Sequence, residues 1–356
     1  MLIQRSEQPL FEADLLYAIT AVPEPETEAI RLYYLLRHRG EGSSCLCMAR
    51  SVDGLQWERP DFGDGTNVVM RGCGNDCDWG MFLPKRILYD QWENDDQARW
   101  KMLFWDCPGT RAQPGLCLAV SPDGVSWSAL GDGPAISSAN DAASFVRVNP
   151  NAPSGPLEAT YLLYQQTWKY NPALPTERDN LKGLHRRISV WTARRFEAHA
   201  FGDGWVGPTT VLEPDASDPP DLQYYWFSAY HTRYGYGGLL NCHHTETQEM
   251  DVRLLRSTDG WEWEFLNNRK PLIAPGDPGR FDCGMVSAPC PPVVIGRRAY
   301  LFYNGRATVH DHAPRYPKSP LPEPYHRHLA VQLVKMGCYP DLRSFQPTNG
   351  CCKPDC

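Results

Sequence analysis

With 356 residues, 42% of them hydrophobic, and a mean hydropathy of −0.48, the chain has the make-up of a globular protein with ample core. A net charge of −7 and a pI near 5.8 argue against nucleic acid as a partner, because phosphate contacts need a basic face. No run of about 20 apolar residues occurs, and Arg5, Glu7, Glu12 and Asp14 stand where a signal peptide would need an apolar core, so no membrane partner and a cytoplasmic location are expected.

In chain order, apolar runs alternate with turn signals. Residues 30–36 and 45–50 read as strands, and the second leads into Ser51-Val52-Asp53-Gly54-Leu55-Gln56-Trp57. Asp-Gly predicts a tight turn, since glycine takes positive φ without a Cβ clash, and Trp57 reopens an extended run. The pattern returns as Ser121-Pro122-Asp123-Gly124-Val125-Ser126-Trp127 after the run 116–120, and as Ser257-Thr258-Asp259-Gly260-Trp261-Glu262-Trp263 after 252–256. The aspartates stand 70 and then 136 residues apart, the second interval being two steps of 68. Asp14-Leu15-Leu16-Tyr17 and Asp221-Leu222-Gln223-Tyr224 are 207 apart, three steps of 69. A fixed period of this kind marks repeat architecture. The two vacant slots hold strand-like runs, 187–193 and 328–334, without the Asp-Gly turn.

Five such units predict an all-β fold: a five-bladed β-propeller with four-stranded antiparallel blades, one domain over residues 1–356. The blades are expected near 11–60, 61–135, 136–215, 216–275 and 276–347, with 342–347 closing the ring against the N-terminus. The motif aspartates belong to turns and are not expected to be catalytic. Two long polar stretches, 168–187 and 310–328, have the length of functional or disordered loops. The thirteen cysteines are an odd count without paired C-x-x-C spacing, which predicts mostly free thiols; Cys351, Cys352 and Cys356 leave a tail disulfide open.

In a propeller the first strand of each blade lines the central channel. An acidic residue stands at or just before that strand in every expected blade: Asp14, Asp78 (or Asp76), Asp141, Asp221 and Asp282. Converging carboxylates repel, so some are pushed to hold a proton while others stay ionised. Glycoside hydrolysis uses that split, one acid for the leaving oxygen and one carboxylate as nucleophile or base. Trp79, Tyr224, Tyr225 and Trp226 offer rings for a sugar or for packing between blades, and Arg86, His243, His244 and His310 are candidate polar contacts. His243-His244 and His310-x-His312 invite a metal reading, but strand neighbours face opposite sides, and no metal or cofactor is expected.

The repeated Ser-x-Asp-Gly-x-x-Trp, the acids at the strand starts and Phe281-Asp282-Cys283-Gly284-Met285 resemble the five-bladed propeller glycosidases, the superfamily of invertases, inulinases and arabinanases, over nearly the whole chain. The resemblance implies an Asp on blade 1, an Asp on blade 2 and a Glu on blade 3 as nucleophile or base, supporting carboxylate and acid. Asp14 and Asp78 match the first two positions. Asp78 precedes Trp79 where the invertase-like members have Arg-Asp-Pro, and Asp141 takes the slot of their Glu-Cys, so the acid stays open among Asp141, Asp221, Asp282 and Glu246. The implied activity is an exo-acting, furanosidase-type hydrolase of an oligosaccharide or glycoside. A phosphorylase or transglycosylase relative and a carbohydrate-binding propeller without catalysis are the alternatives, and the oligomeric state is open.

Overall fold

Apolar stretches bounded by turn residues become strands throughout the computed structural model, which describes residues 15–25, 27–37, 44–72, 82–108, 114–137, 140–150, 158–171, 178–197, 204–295, 298–311 and 328–334. Asp14, Asp76, Asp78, Trp79, His312, the segment 342–347 and the tail cysteines lie outside these residues. Among the described residues there is no α-helix, and only short 3-10 turns occur, at Asp96–Ala98 and Asn267–Arg269.

The first sheet runs β1 (Leu15–Pro23), β2 (Ile30–Arg37), β3 (Ser44–Ser51) and β4 (Val68–Arg71). The second runs β5 (Leu83–Tyr89), β6 (Trp100–Asp106), β7 (Gly115–Ser121) and β8 (Ser128–Leu130), with the short β9 (Ile136–Ser137) also on β7. In the third, β10 (Ala143–Arg147), β11 (Tyr161–Tyr170), β12 (Leu184–Ala193) and β13 (Val206–Leu212) follow in order. The fourth holds β14 (Leu222–Thr232), β15 (Gly235–His244), β16 (Met250–Ser257) and β17 (Glu264–Phe265).

The fifth sheet is arranged differently. Both β18 (Met285–Ser287) and β19 (Val293–Ile295) pair with β20 (Arg298–Arg306), and β21 (His328–Val334) pairs with its other edge. Pro289, Pro291 and Pro292 break the inner lane, since proline has no N–H for the ladder. These five antiparallel sheets are the blades of a five-bladed propeller. The first blade reaches past the expected limit of residue 60, because β4 bonds to β3 only after a loop in which Asp61 Oδ1 accepts from the N–H groups of Gly63 and Gly65.

One apolar cluster fills each seam between blades. Tyr33 and Leu46 pack on Ile87 and Trp100, Trp105 and Leu116 on Phe145 and Tyr161, and Tyr164 on Tyr224 and Phe227. Leu239 and Leu254 meet Val286 and Leu301, and Leu32 and Tyr34 meet Tyr300 and Phe302, which brings the last blade onto the first. Each fully buried leucine contributes about 1.5–3 kcal/mol. The described cysteines are buried within this core.

The three repeated turns share one hydrogen-bond plan. Ser51 Oγ accepts from the Gly54 N–H, and Asp53 Oδ1 from those of Leu55 and Gln56, with the same bonds at Ser121 and Asp123 and at Ser257 and Asp259. Gly54, Gly124 and Gly260 have φ of 74°, 74° and 78°. Each turn also touches the blade before it: Tyr33 Oη donates to the Gly124 carbonyl (3.0 Å), Tyr164 Oη to that of Gly260 (2.6 Å), and Trp57 meets Phe302 edge-on at 5.6 Å. The aspartates are therefore turn-holding groups. Asp259→Ala strips two backbone donors of their acceptor and is expected to cost about 1 kcal/mol, as loss of a side-chain cap does. A thermal melt identical to the parent's would reject that role.

Candidate active site

Three of the inner strands carry an extra residue near their starts. The register of β1 on β2 skips Ile19, that of β5 on β6 skips Lys85, and that of β14 on β15 skips Tyr225. A bulge bends the strand and re-aims a side chain. All three extra residues line one cavity of about 470 Å³, a size suited to a small ligand. Asp141 and Ala142, just before β10, and Met285 and Ser287 on β18 complete its inner rim. Loops supply the rest: Arg178 and Asn180 between β11 and β12, Gln248 between β15 and β16, and His310 and Asp311 after β20.

Polar contacts fix the wall. Lys85 Nζ stands 2.6 Å from Asp141 Oδ2 and 5.1 Å from the centre of the Trp226 ring. Trp226 is anchored by its own Nε1, which donates to Ser228 Oγ at 3.2 Å. Arg178 donates Nε and Nη2 to Asp311 Oδ2, at 3.0 and 2.6 Å. Tyr17 Oη is 3.2 Å from Ser287 Oγ, and Tyr225 Oη 3.1 Å from His310 Nε2.

Behind that wall lies a buried network centred on Arg186, which is 1% exposed. Its guanidinium donates to both oxygens of Asp179 (2.8 and 2.9 Å), to Asn180 Oδ1 (2.7 Å) and to Gln223 Oε1 (2.6 Å). It lies 5.4 Å from the Tyr225 ring centre, with Nη1 3.5 Å from His243 Nδ1. Asp179, His243 and His310 each bring one possible metal-ligand atom within 4.8 Å of the others. Both Asp179 oxygens already accept from Arg186, however, and that cation beside His243 opposes a second positive charge, so the set is organised around a guanidinium.

Burial, then His310 and Arg186, hold the His243 pKa well below the usual histidine range. The unfolded chain takes a proton near pH 6.5 that folded His243 refuses. Its contribution is thus intact above about pH 6.5 and is lost as pH falls below it, by about 1.4 kcal/mol per pH unit. Melts between pH 7.5 and 5 are expected to show this loss, and His243→Asn to flatten it. An equally steep profile in the variant would contradict the assignment.

The expected site residues are distributed unevenly. Asp141, Tyr225, Trp226 and His310 line the cavity, and His243 stands one layer behind it. Asp282 is not among the lining residues: it sits behind Gly305, and its Oδ2 accepts from Tyr303 Oη at 2.9 Å. Asp221 is also away from the cavity, its carbonyl accepting from Thr245 and its carboxylate 3.8 Å from His244 Nδ1. His244 itself bonds to Asp251 at 2.9 Å. Tyr224, before the bulge, turns into the seam between the third and fourth blades, where its hydroxyl donates to Asp218. Arg86 faces a different cavity, at the far end of the inner strands. Sequence reading missed Lys85, Arg178, Asn180 and Arg186. Lys85-Arg86 inside the otherwise apolar run Phe82-Leu83-Pro84 and Ile87-Leu88 was the available signal.

No protein-family model matches the chain, and no curated protein matches it. Solved structures do. BT0996 in a complex with RGII shares 12% identity over 91% of this chain and 88% of its own, with a TM-score of 0.59. A thermostable family-43 glycoside hydrolase shares 9% over 90% of each chain, at 0.54. A structure from work on GH130, a family of mannoside phosphorylases containing glycoside hydrolases that target β-1,2 mannosidic linkages in Candida mannan, shares 15% over 87% of each, at 0.51. At such identities the likeness is one of fold: the chain has the five-bladed propeller found in glycoside hydrolases.

Proposed function

We propose that the protein is a glycoside hydrolase that removes a terminal, furanose-type sugar from an oligosaccharide or glycoside at this cavity. The observation that carries the reading is the meeting of Asp141 and Asp311 with the rings of Tyr17, Tyr225 and Trp226 and the amides of Asn180, Gln248 and Asn304 around one cavity. Aromatic faces take the apolar side of a sugar ring, and neutral amides bond to its hydroxyls. Asp141, fixed by Lys85, acts as a carboxylate at the anomeric centre. The resemblance supplies Asp14 and Asp78 as its partners from the first two blades. One protonated carboxyl gives its proton to the leaving oxygen, while an ionised one attacks the anomeric carbon or activates water.

A second reading rests on a different observation. Lys85, Arg178 and Arg306 line the same cavity, and such cations could hold inorganic phosphate as the attacking group. A panel of nitrophenyl furanosides and pyranosides, with and without phosphate, tests both. Phosphate-independent release supports hydrolysis, release that requires phosphate supports phosphorolysis, and binding without release leaves a carbohydrate-binding propeller.

A further inference from the structure

The opposite ends of the inner strands enclose a second cavity, of about 480 Å³, whose wall includes Glu24, Arg86, Trp92, Arg147 and His231. Arg86 is its unusual member. The residue is 8% exposed, and its one hydrogen bond among the described residues runs from Nη1 to Thr20 Oγ1, at 2.7 Å. Nε is buried without an acceptor, and no carboxylate of the described residues pairs with the guanidinium. Of the other buried cations, Lys85, Lys101, Arg186 and Arg253 pair with a carboxylate, and Arg306 bonds to the Val309 carbonyl. A buried cation without a counter-charge is costly, which makes Arg86 an exception needing a cause.

The surroundings add positive rather than negative character. Glu24, a carboxylate on this wall, is already paired with Arg31 and Arg50, at 2.9 and 2.8 Å. Arg147 brings a second guanidinium, shared with Asp90 at 3.1 Å. His231 packs its ring 5.5 Å from Trp92, and neither of its nitrogens makes a well-formed hydrogen bond among the described residues, the Arg147 backbone offering only a weak contact.

We propose that this cavity binds a small oxyanion, a carboxylate or phosphate group, held by Arg86 and flanked by Arg147 and His231. With Nη1 spent on Thr20 and Nε enclosed by protein, Nη2 is the donor the guanidinium keeps for an arriving oxygen. Burial lowers the Arg86 pKa to about 10, so the charge persists at neutral pH. The same burial, reinforced by Arg86 and Arg147, holds His231 near 4 and therefore neutral, which an arriving anion would offset. The site is separate from the sugar cavity, and its occupancy does not depend on the reaction there.

Thermal melts and titration calorimetry of the full chain, in sodium acetate, sodium phosphate or sodium chloride at one ionic strength, test the proposal. A saturable rise in Tm of roughly 3 °C is expected with an oxyanion over chloride. Acetate and phosphate, compared singly, tell a carboxylate site from a phosphate site. Arg86→Gln is expected to lose the response. Arg86→Lys keeps the charge without the fork and is expected to retain only a small part of it. Equal effects of chloride and both oxyanions, or an undiminished response in either variant, would overturn the proposal.

Discussion

Asp141→Asn is expected to lower kcat/KM by about 10²–10⁴-fold on whichever nitrophenyl glycoside the parent cleaves, and to lower the melt as well, because the buried Lys85 loses its carboxylate. The change keeps the side chain's shape and removes the charge that Lys85 pairs with at 2.6 Å. Asp141 lines the cavity and its carboxylate is one-third exposed, so kcat/KM read on the folded protein, below its melt, reports on chemistry apart from the stability lost with the Lys85 pair. Lys85→Met is the companion variant: it frees Asp141 to move and is expected to raise KM and lower kcat together. Turnover in Asp141→Asn within a few-fold of the parent's would remove Asp141 from the mechanism.

Asp179→Asn is the variant expected to cost the most stability, about 3–5 kcal/mol, because it leaves the buried Arg186 with neutral acceptors only among the described residues. Breaking one side of a buried ion pair is worse than deleting both, since the remaining charge cannot reach water. Replacing Asp179 and Arg186 together by apolar residues of similar size is therefore expected to recover a large part of the loss. Urea unfolding gives the numbers, and a cost below 1 kcal/mol for the single change would show that the network is not structural. Arg186 also supports Asn180 and Tyr225, both on the cavity wall, so the single variant is expected to weaken substrate binding as well.

The repeat made the architecture legible, since three Asp-Gly turns at one period are short-range signals that need no tertiary context. The degenerate slots were legible too: 187–193 falls within β12, and 328–334 is β21. The site was less so. Strand parity assigns alternate residues to one face, but a bulge shifts that parity by one, and the inner strands bulge where they meet the cavity. Lys85 rather than Arg86, and Tyr225 beside Trp226 rather than Tyr224, reach the wall for that reason. The long loop expected at 168–187 is shortened from both ends: β11 continues to Tyr170, β12 begins at Leu184, and Asp179 of the remaining connection meets Arg186 on β12. No local pattern marks an ion pair seven residues apart that is buried only because the fourth blade covers it.

The edge-on contact of Trp57 with Phe302 has a consequence for how the chain is made. The first blade's outer face, with Ile30, Leu32, Tyr34 and Cys47, is covered by Tyr300 and Phe302, which leave the ribosome some 245 residues after Trp57. At about 5–20 residues per second, that greasy surface waits tens of seconds for its cover. A nascent protein of this kind is most vulnerable to sticking to its neighbours just before its fifth blade emerges.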